Sequence, residues 1–221
     1  KMSKIKEIII GTYNEGKYKE IYGLLPNKIK KYSPKQFGIL TPEEIGTSFE
    51  ENSFIKASYF SKKTNLICLS DDSGLEIDLL KGEPGIYSSR WSGEKNNFNL
   101  AIKRIFEKMN DIKKDWKNDN VAKFICCMTL FWPSGKNYLS KGIIKGKIST
   151  KKKGKNGFGY DPIFIPNGYD KTFGEMKAKL KMSIDHRSKA YLKIKNFLIL
   201  RYALNLWSID IFILCVISPK V

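Results

Sequence analysis

Asn65 to Leu80 reads NLICLSDDSGLEIDLL, and its first half is a short apolar run of the kind that forms a buried strand. The run stops at Asp71-Asp72-Ser73-Gly74, and alternation resumes from Leu75 to Leu80. The pattern predicts two strands with an acidic turn between them. Adjacent carboxylates on an extended chain point to opposite faces, so one can enter a cleft while the other bonds to the scaffold. Buried acids are costly without partners, and a divalent cation is the usual remedy. The plainer reading is a turn that uses Asp and Gly for their backbone preferences.

Upstream, Thr47 to Lys63 (TSFEENSFIKASYFSKK) carries two overlapping capping signals, Thr47 with Glu50 and Ser48 with Glu51. Phe54, Ile55, Ser58 and Tyr59 form one face of the predicted helix, and Asn52 and Lys56 share another. Nearer the N-terminus, Lys4 to Gly11 (KIKEIIIG) reads as a strand. Thr12-Tyr13-Asn14-Glu15-Gly16-Lys17 then turns into a helix running to about Leu25. Backbone N–H groups at a helix N-terminus attract anions, and Lys17 adds a cation. The spacing is not a P-loop, because Tyr18 stands where a Ser or Thr would hold magnesium.

Downstream, the loop GEPGIYSSRWSG (Gly82 to Gly93) leads to a helix in which Phe98, Ala101, Ile102, Ile105, Phe106 and Met109 recur at helical spacing, a core stripe. Asp111 to Asn120 is a charged, solvated loop. Val121 to Trp132 and Tyr138 to Ile148 predict a hairpin around Pro133-Ser134-Gly135-Lys136. Lys147 to Lys155 is lysine-rich and runs into GFGYDPIF, where Phe158 and Tyr160 form either a stacking platform for a base or core aromatics beside a tight turn. Helices follow from about Phe173 to Ile184 and from Arg187 onward. At the Asp185-His186-Arg187 junction, Arg187 offers a fork of donors to a carbonyl.

The 221 residues are 42% hydrophobic, enough to bury a substantial core in one domain. Forty Lys and Arg against 22 acids give a formal charge of +18, which favours phosphate-bearing partners without choosing between nucleotide, nucleic acid and anionic membrane. Four cysteines without a C-x-x-C pair suggest neither a zinc site nor a disulfide framework, and fit a reducing cytoplasm. His186 is the one histidine, so a metal would need oxygen ligands, for which magnesium is the natural candidate. Lys1 to Lys6 is polar and basic, unlike a signal peptide. Residues 197–217 are largely apolar, but Arg201, Asn205 and Asp210 interrupt them. A packing or dimer-contact helix is expected there rather than a membrane anchor.

Taken in order, these blocks resemble the inosine and xanthosine triphosphate pyrophosphatase family. Thr12-x-Asn14-x-x-Lys17-x-x-Glu20 resembles its T-G-N-x-x-K-x-x-E start, and SFEENSFIKA (Ser48 to Ala57) its second helix. DDSGLEID (Asp71 to Asp78), GEPGIYSSRWSG, NGFGYDPIF and SIDHRSKA (Ser183 to Ala190) match further blocks over about residues 5 to 200.

The resemblance implies an α/β fold, a long mixed sheet flanked by helices in two lobes with a cleft between them. It implies a pyrophosphatase domain over residues 1–203, an apolar extension of unknown role over 204–221, and a homodimer. The substrate would be an aberrant purine nucleoside triphosphate such as ITP, dITP or XTP, cut to monophosphate and pyrophosphate with Mg²⁺. Thr12, Tyr13, Asn14, Glu15, Gly16, Lys17 and Lys56 would hold the triphosphate. Glu43, or the adjacent Glu44, and Asp72 would bind magnesium. Asp72 would activate water, Ser73 would touch the substrate, and Phe158, Gly159, Tyr160, Asp161, Lys181, His186 and Arg187 would form the base pocket.

Two departures stand out. Tyr13 replaces the family's glycine, which suggests a reshaped or hindered phosphate turn. Asp185 replaces the commoner serine beside His186, a negative charge expected to favour the protonated imidazole. Among rival functions, a nucleic-acid binder would rest on charge and aromatics alone, with no recognised binding module. A membrane-associated protein would rest on residues 197–217, and a pyrophosphatase for modified pyrimidines would share the phosphate chemistry.

Overall fold

In the computed structural model of the chain the described residues are 5–93 and 97–204, with side chains described to residue 200. The acidic stretch is not a turn. Cys68–Ile77 forms one uninterrupted strand, β3, after β1 (Glu7–Ile10), α1 (Glu15–Leu24), β2 (Lys30–Tyr32) and α2 (Phe49–Thr64). Both neighbours of Asp71 and Asp72 are apolar or small, and the ladder to the next strand runs unbroken from Cys68↔Phe131 to Ile77↔Ala122. Cross-strand pairing overrides the turn preference of Asp and Gly.

α3 (Phe98–Ile112) follows, then the expected hairpin β4 (Val121–Phe131) and β5 (Asn137–Ile148), β6 (Phe164–Pro166), α4 (Ala178–Ile184) and α5 (His186–Leu204). The six strands make one mixed sheet in the order β2-β1-β3-β4-β5-β6. β2, β1 and β3 run parallel, and β3 to β6 antiparallel. α2 packs on β3 and β4, and α5 on β4 and β5. Of the predicted loop 111–120, the first two residues end α3, Asp119 and Asn120 are half-buried, and Trp116, 5% exposed, packs into the core, while the rest is exposed.

The side-chain alternation of β3 explains why there are two lobes. Its odd residues share one face: Leu69 joins a core with Ile8, Ile21, Met128 and Ile194, while Leu75 and Ile77 join another with Ile102, Ile105, Phe124 and Phe164. Between them on that face stand Asp71 and Ser73. A polar gap therefore separates two apolar cores built on the same strands.

β1 pairs with β3 only at Ile9↔Cys68 and Ile10↔Leu69. Beyond Leu69 that edge of β3 is free of β1, just where the acids lie. Open α/β sheets place ligands outside the carboxyl ends of parallel strands at such a point. Residues 205–221, and so nearly all of the proposed 204–221 extension, lie outside the described residues.

Candidate active site

The turn after β1 is organised by short side chains. The Asn14 side chain caps α1 by accepting from the Lys17 N–H at 3.0 Å, and the Asn14 N–H donates to Thr12 Oγ1 at 3.2 Å. Ser70 of β3 donates to the Gly11 carbonyl at 2.6 Å, which fixes the turn against the sheet. One turn into α1, Lys17 Nζ lies 3.7 Å from Asp71 and 3.8 Å from Asp72. Being off the free edge of β3, it reaches the carboxylates of both faces.

On the α2 face, Ser48 caps the helix by accepting from the Glu51 N–H, so the second of the two capping signals is the one used. The inward face of α2 is the polar one: Asn52, Ser53, Lys56 and Ser61 are buried beside Phe49, Ala57 and Phe60, while Phe54 is exposed. Lys56 Nζ donates to Glu44 Oε1 at 2.5 Å and to Asp72 Oδ1 at 3.4 Å. Burial alone would lower the pKa of Lys56, but Asp72, Glu44 and Asp71 outweigh it and hold the ammonium charged.

On the opposite face, Gly142 lets the start of α5 lie against β5, since a Cβ there would meet the His186 carbonyl at 2.0 Å. That approach brings Arg187, 1% exposed, onto Asp71 through Nε (3.2 Å) and Nη2 (3.0 Å). Nη2 also donates to Ser73 Oγ at 2.9 Å, and Nη1 donates to Glu20. Glu20 takes Lys181 Nζ at 2.8 Å, and Lys181 reaches Asp161 Oδ2 at 2.5 Å. The result is a buried chain of alternating charge across the cleft.

The Phe158 loop closes the other side. Asp161 Oδ2 accepts the Phe158 N–H at 2.8 Å, and the Phe158 ring lies under Lys181 Nζ (5.0 Å) and Arg187 Cζ (5.8 Å). Gly16 is where this ring meets the phosphate turn, because a Cβ there would sit 2.5 Å from it. Of the two aromatics expected as a platform, Phe158 is half-buried and available. Tyr160 is core, with its ring edge-on to Phe98 and its hydroxyl donating to the Ser88 carbonyl at 2.8 Å.

These groups surround one cavity of about 250 Å³, lined by Thr12, Tyr13, Asn14, Lys17, Lys56 and Asp72 on one side and Ser73, Phe158, Gly159, Lys181, His186 and Arg187 on the other. Tyr160 and Asp161 contribute edges. Three of the expected residues stand apart. Glu15 is exposed and pairs with Lys35, Gly16 is occupied by the Phe158 contact, and Glu43 is exposed outside the cavity, which Glu44 lines instead. The site also holds Glu20, Phe124 and Arg90, which sequence reasoning left without roles, and Phe98, which was expected only as core. Glu20 lies three residues after Lys17 on α1, a spacing that signalled a shared face.

The electrostatics divide the two acids. Burial would raise the pKa of Asp71, but Lys17, Arg187 and Lys56 outweigh it and hold its carboxyl well below the usual range. Burial dominates at Asp72 and pushes its carboxyl up, with Lys56 and Lys17 only partly compensating. Burial, then the charges of Arg187 and Lys181, hold the His186 imidazole well below its ordinary value, so Asp185 does not favour its protonated form. Asp185 instead caps α5, accepting from the Ser188 N–H at 2.7 Å. The neutral ring stacks on Phe124 at 4.8 Å, with Nδ1 buried and without a partner.

No cluster of three His, Cys, Asp or Glu suited to a metal occurs among the described residues. Two carboxylates do face one another across the Lys56 ammonium, Glu44 and Asp72, and Asp72 Oδ2 is buried without a partner. That donor set fits magnesium, which takes one or two carboxylates together with substrate phosphates rather than an all-protein cage.

Known proteins resemble this chain in sequence and in fold. Residues 8–197 match the Ham1 family. The chain is 38% identical over 197 residues to a dITP/XTP pyrophosphatase of Oceanobacillus iheyensis, covering 88% of this chain and 98% of that one. It is 36% identical over 189 residues to the dITP/XTP pyrophosphatase of Caulobacter vibrioides, covering 86% and 96%. Among solved structures, a HAM1 protein from Coxiella burnetii superposes with a TM-score of 0.78 at 33% identity, covering 87% of this chain and 98% of that one. The Staphylococcus aureus Ham1 protein gives 0.76 at 34%, with the same coverage. A family model that matches residues 8–197, and relatives 36–38% identical over nearly their whole length, show that this chain belongs to the Ham1 family.

Proposed function

We infer that the protein hydrolyses noncanonical purine nucleoside triphosphates, ITP, dITP and XTP, to the nucleoside monophosphate and pyrophosphate. The observation that carries this reading is the meeting of Lys17, Lys56 and Asp72 with Phe158, His186 and Arg187 around one cavity. The first three suit a triphosphate, the last three a purine. Removal of such nucleotides keeps them out of DNA and RNA.

The residues divide the work as follows. The Thr12 to Lys17 turn offers N–H donors at the start of α1, and Lys17 and Lys56 oppose charge on the phosphates. Water attacks the α-phosphorus, its proton passes to Asp72, and the α–β bridging P–O bond breaks to release pyrophosphate. Without a cation, burial raises the Asp72 carboxyl and so its basicity, a rise that a bound cation would oppose. Glu44 and Asp72 are the residues that would hold Mg²⁺, which supplies charge neutralisation on the phosphate oxygens. Asp71 stays ionised and orients Arg187.

Arg187 Nε, Nη1 and Nη2 make four hydrogen bonds to Asp71, Glu20 and Ser73. Guanidinium has five N–H groups, so one hydrogen on Nη1 remains for the 6-keto oxygen of hypoxanthine or xanthine. Adenine presents a donor at that position, which leaves both groups unpaired.

The test is a product assay with dITP, XTP, dGTP and ATP in Mg²⁺. Monophosphate and pyrophosphate from the first two, with little from the last two, is the expected result. Release of inorganic phosphate and a diphosphate contradicts the assigned bond. The reading carries two further expectations, a homodimer, to be seen by sedimentation velocity, and a cytoplasmic location. Buried Cys68, Cys126 and Cys127, all free thiols, are compatible with the latter, and no helix among the described residues is long and apolar enough to cross a membrane.

A further inference from the structure

The residue that departs from the family pattern links two parts of the site. Tyr13 stands between Thr12 and Asn14, where the resemblance expects glycine. Its φ is negative, so the backbone there does not call for glycine, and the turn is not reshaped on that account. The ring packs against the core of Ile9, Ala57, Phe60, Cys68 and Phe131, and the hydroxyl donates to the Ile39 carbonyl. A second tie runs beside it, from Lys35 to Glu15 at 2.7 Å.

Ile39 opens a stretch, 39–46, without regular secondary structure, and this stretch carries Glu44 into the cavity. Leu40 and Ile45 are 77% and 74% exposed, so those two side chains do not anchor it in a core. Ile39 packs on the core and its N–H donates to the Pro34 carbonyl at 3.3 Å; beyond it the contacts on the segment include Lys56 on the Glu44 carboxylate, Arg90 Nη2 on the Glu44 carbonyl at 2.6 Å, and the Gly46 N–H on Asn52 Oδ1 at 2.9 Å. Arg90 and Lys56 both engage residue 44 itself, and Asn52 holds the far end. Tyr13 holds the near end, and does so from within the phosphate turn.

We propose that Tyr13 is a positioning residue for Glu44: its phenol ties the 39–46 segment to the phosphate turn and so sets the separation between the metal-binding carboxylate and the bound triphosphate. The proposal rests on the reading of Glu44 and Asp72 as the cation ligands. It predicts that substrate and cation strengthen each other's binding through this tether, because ordering the turn orders the segment. A glycine at 13 removes the near-end tie to the phosphate turn, leaving Ile39 held only by its packing and by the Pro34 carbonyl.

Tyr13→Phe removes the hydroxyl and keeps the ring packing, which makes it the discriminating variant. Mn²⁺ bound in place of Mg²⁺ is counted by electron paramagnetic resonance, with an α,β-methylene analogue of ITP present. The variant should bind Mn²⁺ about three- to tenfold more weakly, the weight of one hydrogen bond. The Mg²⁺ concentration for half-maximal rate should rise by a similar factor, exceeding any change in kcat. A residue that merely packs would lower kcat and melting temperature together and leave Mn²⁺ affinity alone, and that result overturns the proposal. A wild-type chain that turns over dITP without any divalent ion and binds no Mn²⁺ overturns the cation reading, and this inference with it. Wild-type dependence on the ion with an unchanged Tyr13→Phe overturns this inference alone.

Discussion

Asp71 and Asp72 are neighbours on β3, yet the two faces they serve have different chemistry. On the α5 side, Asp71 is 0% exposed and meets Arg187 in a two-donor contact, with Cys126 Sγ 3.7 Å away. On the α2 side, Asp72 has Lys56 at 3.4 Å and no guanidinium partner, while each acid keeps one buried oxygen without a partner. Three cations hold Asp71 ionised, whereas burial pushes Asp72 towards its neutral form. The difference teaches that which side of a strand each of two identical acids faces can split their ionisation, one held as an anion and the other pushed up, the pattern that would suit Asp72 to the role of base proposed for it.

The largest expected effect tests the reactive side. Asp72→Asn should lower turnover of dITP by about 10²–10⁴-fold, the range for loss of a general base, while the chain still folds. Lys56 and Lys17 lose one carboxylate, but Glu44 stays on Lys56, so the loss of stability should be smaller than for Asp71→Asn. A folded variant that keeps its rate would remove Asp72 from the chemistry.

Next comes the structural side. Asp71→Asn leaves Arg187 without its main counter-charge and should cost about 3–5 kcal/mol of stability in denaturant titration, the scale of a broken buried pair. Its pH dependence has a definite sign. The folded-state carboxyl of Asp71 lies below its unfolded value, so its stabilising contribution is present above the unfolded value of about 3.9 and is lost as pH falls towards the folded one. The variant should therefore lose less of its remaining stability than the wild type on acidification through that window.

The pH–rate profile sharpens the contrast further. Without a cation, burial raises the Asp72 carboxyl, and a bound divalent cation would lower it, so the acid limb of kcat/KM should move to lower pH as the Mg²⁺ concentration rises. His186, held neutral, should add no limb between about pH 6 and 8, where an unperturbed imidazole titrates. The smallest effect is expected from His186→Phe, which keeps an aromatic ring against Phe124. Its stability should lie within about 1 kcal/mol of the wild type, since a buried Nδ1 without a partner is removed, and its cost should fall on KM for the purine.

How much of this was legible depends on what each element hides. The stripe from Phe98 to Met109 was readable as core because Ala101, Ile102, Ile105 and Met109 sit inward and polar residues outward, the ordinary amphipathic case. α2 inverts that rule: Asn52, Ser53 and Lys56 face in and Phe54 faces out, so hydrophobic spacing says nothing about which side meets the sheet.

Asp71 to Gly74 misled for a related reason, since local turn chemistry is outweighed by a long ladder that only tertiary pairing reveals. Among the site residues, motif order brought Lys17, Lys56, Asp72 and Arg187 together correctly. It could not choose Glu44 over Glu43, because adjacent acids on an irregular segment are separated only by the direction each side chain takes.

The polar inner surface of α2 has a consequence for motion. A helix whose inward contacts include a lysine and an amide, Asn52 Nδ2 lacking a partner, has less apolar attachment than α3 to resist brief opening. Occupying the cleft supplies anions for Lys56 and should quiet that opening. Amide hydrogens of α2 should then exchange with deuterium more slowly when a triphosphate is bound, with little change in α3, so that the helix reports occupancy of the cleft as well as contributing to it.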